Sequence, residues 1–277
     1  MSDGTRTAPT HRTPSEVVLR IAAGGPALVA LSGGVDSSIV AALAFEALGP
    51  SAVAVTLTGP AVGRAEVEAA RSVASAVGIA HEVVPVDPLE RPEYRANPTN
   101  RCYFCRSVET ASLLAFGRGR GLVQFLDGVH VDDLSDDRPG LRAMDEAGFF
   151  HPLAWAGWTK ADVRVEARVR DLPNWDRPSD ACLSSRVAHG DPISAELLHR
   201  VEAAEAVLLG RGFRRVRVRV RANGARVEVD PGEVARLSTE PLATEVVREL
   251  RALGFDPVSV DPRGYGASRP ENPEVVR

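Results

Sequence analysis

The chain has 277 residues, 44% hydrophobic and 25% charged, with 33 basic and 37 acidic side chains and a net charge of −4. That length accommodates one large domain or two moderate ones and needs neither disulfides nor a structural metal to bury a core. The mild acidity argues against a dedicated nucleic-acid binder, and three cysteines, an odd number, exclude a complete disulfide framework and point to a reducing, cytoplasmic setting.

Residues 1–14 are polar, without the apolar centre of a signal peptide, and are expected to form a disordered tail. No run of about 18 apolar residues occurs, so no membrane span is expected. Residues 15–23 read as a helix capped by Ser15. The apolar run 27–31 reads as a buried strand and 36–48 as a helix stopped by Gly49. A strand at 52–58, an Ala-rich helix at 64–77 stopped by Gly78, a strand at 81–87, a helix at 100–117 and a strand at 122–129 follow. This alternation predicts parallel β-α-β units and an α/β/α sandwich, with ligands at the C-terminal ends of the strands. A helix over 159–171 capped by Thr159 precedes a proline-rich loop. Residues 194–210 then read as helix, 213–221 and 225–230 as a hairpin around Asn223 and Gly224, 231–237 and 239–253 as helices, and 257–260 as a last strand. The expected organisation is a nucleotide-type α/β domain at 15–175, a cysteine-bearing loop at 176–192 and a smaller α+β domain at 193–277.

Ser32-Gly33-Gly34-Val35-Asp36-Ser37-Ser38 joins the first strand to the following helix. The glycines uncover backbone N–H groups, which with the helix N-terminus make a site for phosphate oxygens. Ser32, Ser37 and Ser38 can add hydroxyl donors, and Asp36 can cap the helix or hold Mg²⁺. No Gly-Lys-Ser/Thr follows, so this is not a Walker A loop. It resembles the pyrophosphate loop of the N-type ATP pyrophosphatases, which implies ATP cleaved between its α and β phosphates and an adenylated substrate.

Cys102-x-x-Cys105 alone fits a redox pair, half a zinc site or buried small hydrophobes; its place well after the ATP loop speaks against a thioredoxin pair, and the lack of a fourth ligand beside Cys182 against zinc. With Cys182 the three thiolates can also hold three irons of a [4Fe–4S] cluster and leave the fourth open to sulfide or substrate.

Four stretches together are similar to the LarE family of ATP-dependent sacrificial sulfur transferases of nickel-pincer nucleotide synthesis: 32–38, 127–140, 174–190 and 217–228. The likeness runs from about residue 27 to 269. It implies the adenine nucleotide alpha hydrolase-like PP-loop fold. It also implies an enzyme that adenylates a carboxylate of a pyridinium dicarboxylate mononucleotide and converts it to a thiocarboxylate. In one branch the cysteine matching Cys182 surrenders its own sulfur; in another, three cysteines matching Cys102, Cys105 and Cys182 hold a [4Fe–4S] cluster fed by a sulfide or other sulfur donor. The family further implies a homo-oligomer.

The resemblance places Arg217 and Arg219 on the substrate phosphate, whereas Arg215 and Arg221 on the same strand face read as solvated. The family's aromatic and His after that pair are replaced by Val220 and Arg221. Nucleotide contacts are expected from the loop and from Thr56, Asp127 and Gly128. Asp127, ending a buried strand, leads an acidic group with Asp132, Asp133, Asp136 and Asp137 that can surround Mg²⁺ and pyrophosphate. Arg186 is expected to hold phosphate or to lower the Cys182 thiol pKa. Glu205 and Glu228 match acidic family positions or are surface charge, and Lys160, at the start of a helix, can reach a phosphate but reads rather as a surface lysine. The histidines, among them His81, His130 and His151, show no paired metal spacing, and Trp155, Trp158 and Trp175 read as anchors. Two rival readings use the same loop: a cluster-dependent tRNA thiolase and an amidotransferase-like synthetase.

Overall fold

The structure is a computed structural model that describes residues 11–135, 138–178 and 181–266. Asp136 and Asp137 of the acidic group, and most of the expected tail, lie outside the described residues. The chain divides into two compact units, one of Met1–Tyr94 with Asn100–Ala181, the other of Arg95–Thr99 with Cys182–Arg277.

In the first unit, helix α1 (Pro14–Ala22) is capped by Thr13, not Ser15: the Thr13 side chain accepts from Glu16 N, and Glu16 reaches back to the Thr13 N–H. Proline in the first turn suits that start, since its missing N–H would have no helical acceptor. Arg12, expected in the disordered tail, is held on both sides. Its N–H donates to Ala156 O at 2.8 Å, and its carbonyl accepts the Trp158 indole at 2.7 Å. A buried indole N–H demands an acceptor, and this segment supplies it.

Strands β1 (Ala27–Ala30), β2 (Ala52–Thr58), β3 (Ala80–Pro85) and β4 (Gln124–Leu126) form one parallel sheet in the order β3-β2-β1-β4. Between them run α2 (Val35–Leu48), α3 (Arg64–Val77), the one-turn α4 (Pro92–Arg95) and α5 (Arg101–Arg118). After β4 come α6 (Pro139–Glu146), α7 (Pro152–Ala156) and α8 (Lys160–Val169). Period-two alternation puts Ala27 and Val29 in the core that α1, α2, α3 and α8 cover, and Leu28 in the one shared with Leu113 of α5 and Met144 of α6. The parallel α/β/α sandwich expected from the sequence is thus present. Strand β4 is shorter than expected because Leu122 and Val123 turn their amides to Gly117 and Pro26 carbonyls.

The strand order carries the functional geometry. The chain steps from β1 to β2 to β3 in one direction and then places β4 on the other side of β1. A parallel sheet opens a crevice at such a reversal, beyond the carboxyl ends of the two strands. Here those ends lead into Ser32–Ser38 and into Asp127-Gly128.

The second unit packs α9 (Ala195–Leu209), capped by Ser194, and α11 (Leu242–Ala252) with a sheet of β5 (Val216–Arg221), β6 (Gly224–Val229) and β7 (Val258–Val260). A one-turn α10 (Val234–Leu237) precedes α11. Arg221 pairs with Gly224, so the hairpin turn is Ala222-Asn223, one residue earlier than expected, with Ala222 at φ 50°. Arg95–Thr99 belongs to this unit. Asn97 is fully buried there, and its amide donates to Ala188 O at 2.7 Å and Asp191 O at 2.9 Å.

Candidate functional site

The Ser32–Ser38 loop is held open by its glycines and closed by its own hydroxyls. Gly33 has φ 78°, and a Cβ there would lie 2.6 Å from Glu66 O, so only glycine fits. Ser37 and Ser38, buried, both donate to Gly34 O, at 3.1 and 2.8 Å. Ser32 Oγ lies 3.1 Å from Ser37 Oγ. These hydroxyls therefore shape the loop. The groups left for an anion are the backbone amides at the start of α2, which have no helical carbonyl ahead of them. Gly34 caps that helix without a side-chain bond, so the capping role open to Asp36 in the sequence is not taken up.

Asp36 instead faces α8. Lys160 Nζ stands 2.7 and 2.6 Å from its two carboxylate oxygens, and both side chains are about a quarter exposed. The surface lysine of the sequence reading is thus a half-buried partner of the loop. Its place is fixed by the Thr159–Asp162 capping box and by its own N–H, which donates to Asp132 at 2.8 Å. One signal in the sequence marked it: of 33 Lys and Arg residues, 32 are arginine and Lys160 is the only lysine. In a chain that writes arginine everywhere else, the one compact ammonium stands out, because the two cations bind oxygen differently.

Three more side chains that sequence reasoning did not single out for the site join the loop. Asn174 is buried and its amide donates to Gly33 O and Ser38 Oγ, both at 2.9 Å. His130 is buried, with Nε2 3.4 Å from Asp133 and 3.9 Å from Asp36. His151 Nδ1 lies 2.7 Å from Asp127 Oδ1, and its Nε2 lies 2.8 Å from Asp145. Burial draws the His151 imidazole down, but the bonds and charges of Asp127 and Asp145 outweigh it and hold its pKa at about 9.

Asp127 Oδ2, His130 Nδ1 and Asn174 Oδ1 are buried without a hydrogen-bond partner among the described residues. Each such group destabilises a folded chain by about 1–3 kcal/mol, and a group of them around one loop marks a place for a polar ligand, water or ion. Gly128 binds this side of the site to the loop, since a Cβ there would sit 2.5 Å from Ser37 N. Thr56 ends its hydrogen bonds within the protein. It is buried, its hydroxyl donates to Leu31 O at 2.6 Å, and it meets His81 Nε2 at 2.8 Å.

In the second unit, Cys182 is half-buried and opens the short turn Leu183–Arg186. Arg186 is buried and forked onto Glu205 at 2.9 and 3.1 Å, with a further bond to the Cys182 carbonyl at 3.0 Å. Its guanidinium thus holds the backbone of the cysteine turn. Glu205, open to a surface reading from sequence, also accepts Val218 N at 3.0 Å. Arg217 is buried beside Tyr265, 5.1 Å from the ring centre, and Arg219 donates to fully buried Glu228 at 3.2 Å and to Ser185 O at 2.9 Å.

Cys102 and Cys105 lie one turn apart at the start of α5. Cys102 is exposed, Cys105 donates to Glu109 at 3.3 Å, and none of the three cysteines is in a disulfide. Among the described residues, no three His, Cys, Asp or Glu side chains are grouped as a metal site requires. No described helix is long and apolar enough to cross a membrane.

Comparison with known proteins adds an independent line. The asparagine synthase family matches residues 15–98. An uncharacterised protein of Synechocystis is 41% identical over 88% of this chain and 91% of its own length. The pyridinium-3,5-bisthiocarboxylic acid mononucleotide synthase of Lactiplantibacillus plantarum is 31% identical over 87% of each chain. The tRNA-specific 2-thiouridylase of Azorhizobium caulinodans is 34% identical, but over only 65% of this chain and 55% of that one.

Proposed function

Because the chain belongs to the LarE family of ATP-dependent sulfur transferases, we propose that it converts a carboxylate of a pyridinium dicarboxylate mononucleotide to a thiocarboxylate. The observation that carries this is the amide-lined loop at the β1/β4 reversal, with Lys160 held on Asp36 beside it. A substrate carboxylate oxygen attacks the α-phosphorus of ATP and pyrophosphate leaves. The loop amides and the Lys160 ammonium suit the charge that gathers on the departing oxygens. Asp36 and the acidic group after β4 suit Mg²⁺, which is part of the same reading. Arg217 and Arg219 suit the substrate phosphate through their guanidinium forks.

Sulfur then attacks the acyl carbon and AMP leaves. Cys182 is the residue assigned to this step, held at its carbonyl by Arg186. We extend the reading to a [4Fe–4S] cluster on Cys102, Cys105 and Cys182. What supports it is the chemistry of the donor set, three cysteines none of which is spent in a disulfide; among the described residues no group of ligands is assembled. When bound, such a cluster supplies an iron open to sulfide. Oligomeric assembly, implied by the family, belongs to the same proposal.

The test is anaerobic purification with iron and acid-labile sulfide analysis, followed by AMP release with the pyridinium substrate. AMP release that stops when the substrate is omitted supports the enzyme. Absence of iron after reconstitution, with one sulfur lost per chain at Cys182, replaces the cluster by the sacrificial route. The thiouridylase relative supports a second reading, thiolation of tRNA. The net charge of −4 weighs against it, and failure to bind tRNA at low salt removes it.

A further inference from the structure

The cluster Asp127–His151–Asp145 lies at the crevice, yet no step above uses His151. Asp127 is 5% exposed, and its two oxygens have unequal lives. Oδ1 accepts the Val129 N–H at 3.0 Å and faces His151 Nδ1 at 2.7 Å. Oδ2 is buried and has no partner among the described residues. A carboxylate is an acceptor only, so an orphaned oxygen asks for a donor. The next residue, Gly128, has its Cα packed on the first turn of α2, which keeps Asp127 beside the loop.

We propose that His151 is a positioning residue for nucleotide binding. It clamps Asp127 by one oxygen and so reserves the other for a donor of the bound nucleotide, a ribose hydroxyl or a water that the nucleotide holds. The inference rests on the reading of the loop as an ATP site. His151 suits the task because both ring nitrogens are engaged, one on Asp127 and one on Asp145, so the ring cannot turn. Both partners are carboxylate oxygens, which only accept, so the ring meets them as a donor. Asp145 is 60% exposed at its side chain and anchors the outer nitrogen only.

Two amides separate the clamp from mere packing. His151→Asn keeps a donor at the Nδ1 position and loses the outer one; His151→Gln does the reverse. MgATP affinity of the full chain is measured by calorimetry, with thermal unfolding and AMP release beside it. H151A and H151Q are expected to weaken MgATP about tenfold, a loss of the size of one charge-assisted hydrogen bond. H151N should stay within about twofold, and so should D145N even where it lowers the unfolding temperature. Wild-type affinity in H151Q, or a D145N as weak as H151A, overturns the inference. Wild-type protein that binds MgATP but releases no AMP with the pyridinium substrate defeats the proposed function and leaves the positioning role standing. Wild-type protein that does not bind MgATP defeats both.

Discussion

The two units solve the problem of charge near a reactive centre in opposite ways. Around the loop, a single lysine meets Asp36 while both remain partly open to solvent, and several polar atoms are left without partners. In the second unit the charges are arginines on buried carboxylates: Arg186 forked onto Glu205, and Arg219 bonded through Nε to Glu228. An ammonium on a flexible stem can leave its partner when phosphates arrive, whereas a buried guanidinium–carboxylate fork cannot part without stranding a charge. The first arrangement suits a site that trades partners, and the second suits a frame that holds Cys182 still.

The largest expected effect tests the frame. Glu205→Ala strands Arg186, and breaking a buried pair of this kind costs about 3–5 kcal/mol, read as a lowered urea midpoint. The loop side should behave in reverse. Lys160→Ala should lower AMP formation about a hundredfold while changing stability by about 1 kcal/mol or less, because the Asp36 pair is partly exposed. Lys160→Arg should also lose activity, since a fork does not reproduce a point charge.

The two units should also weaken at opposite ends of the pH scale. His151 is held at about 9, above its ordinary 6.5, so its contribution is complete below about 6.5 and fades as pH rises through 9. Asp261 is held at about 2 by the Arg263 bond, opposed by burial and aided by Arg226, so its contribution is complete above about 4 and fades as pH falls through 2. Unfolding temperatures across pH should show H151N flattening the alkaline limb and D261N the acidic one. The smallest effect belongs to Gly34→Ala. The added Cβ would meet only Ser32 Oγ at 3.5 Å, so stability should shift by about 0.5 kcal/mol or less while the loop is crowded and MgATP affinity falls.

The α/β half was legible because its signals are local: apolar runs, helical spacing and glycine stops at 33, 34, 49 and 78. The cap of α1 was misplaced by two residues, although Thr-Pro-x-Glu carried the capping-box pattern. The site was legible only where a motif lay along the chain. His151 meets Asp127 24 positions away and Asn174 meets Ser38 136 positions away, so only the fold brings them together. The burial of Glu228, open to a surface reading from sequence, was hidden for a related reason: alternation assigns a strand face, but tertiary packing decides whether that face is covered.

The solitary Lys160 also makes the site its own reporter. An amine-directed acylating reagent finds one side-chain ε-amine in this chain, and its rate of labelling there reads whether Asp36 or a bound polyphosphate is holding the ammonium. A lysine-specific protease has one bond to cut, at the first residue of α8, so the intact chain can be followed as nucleotide protects or exposes that turn without altering a residue.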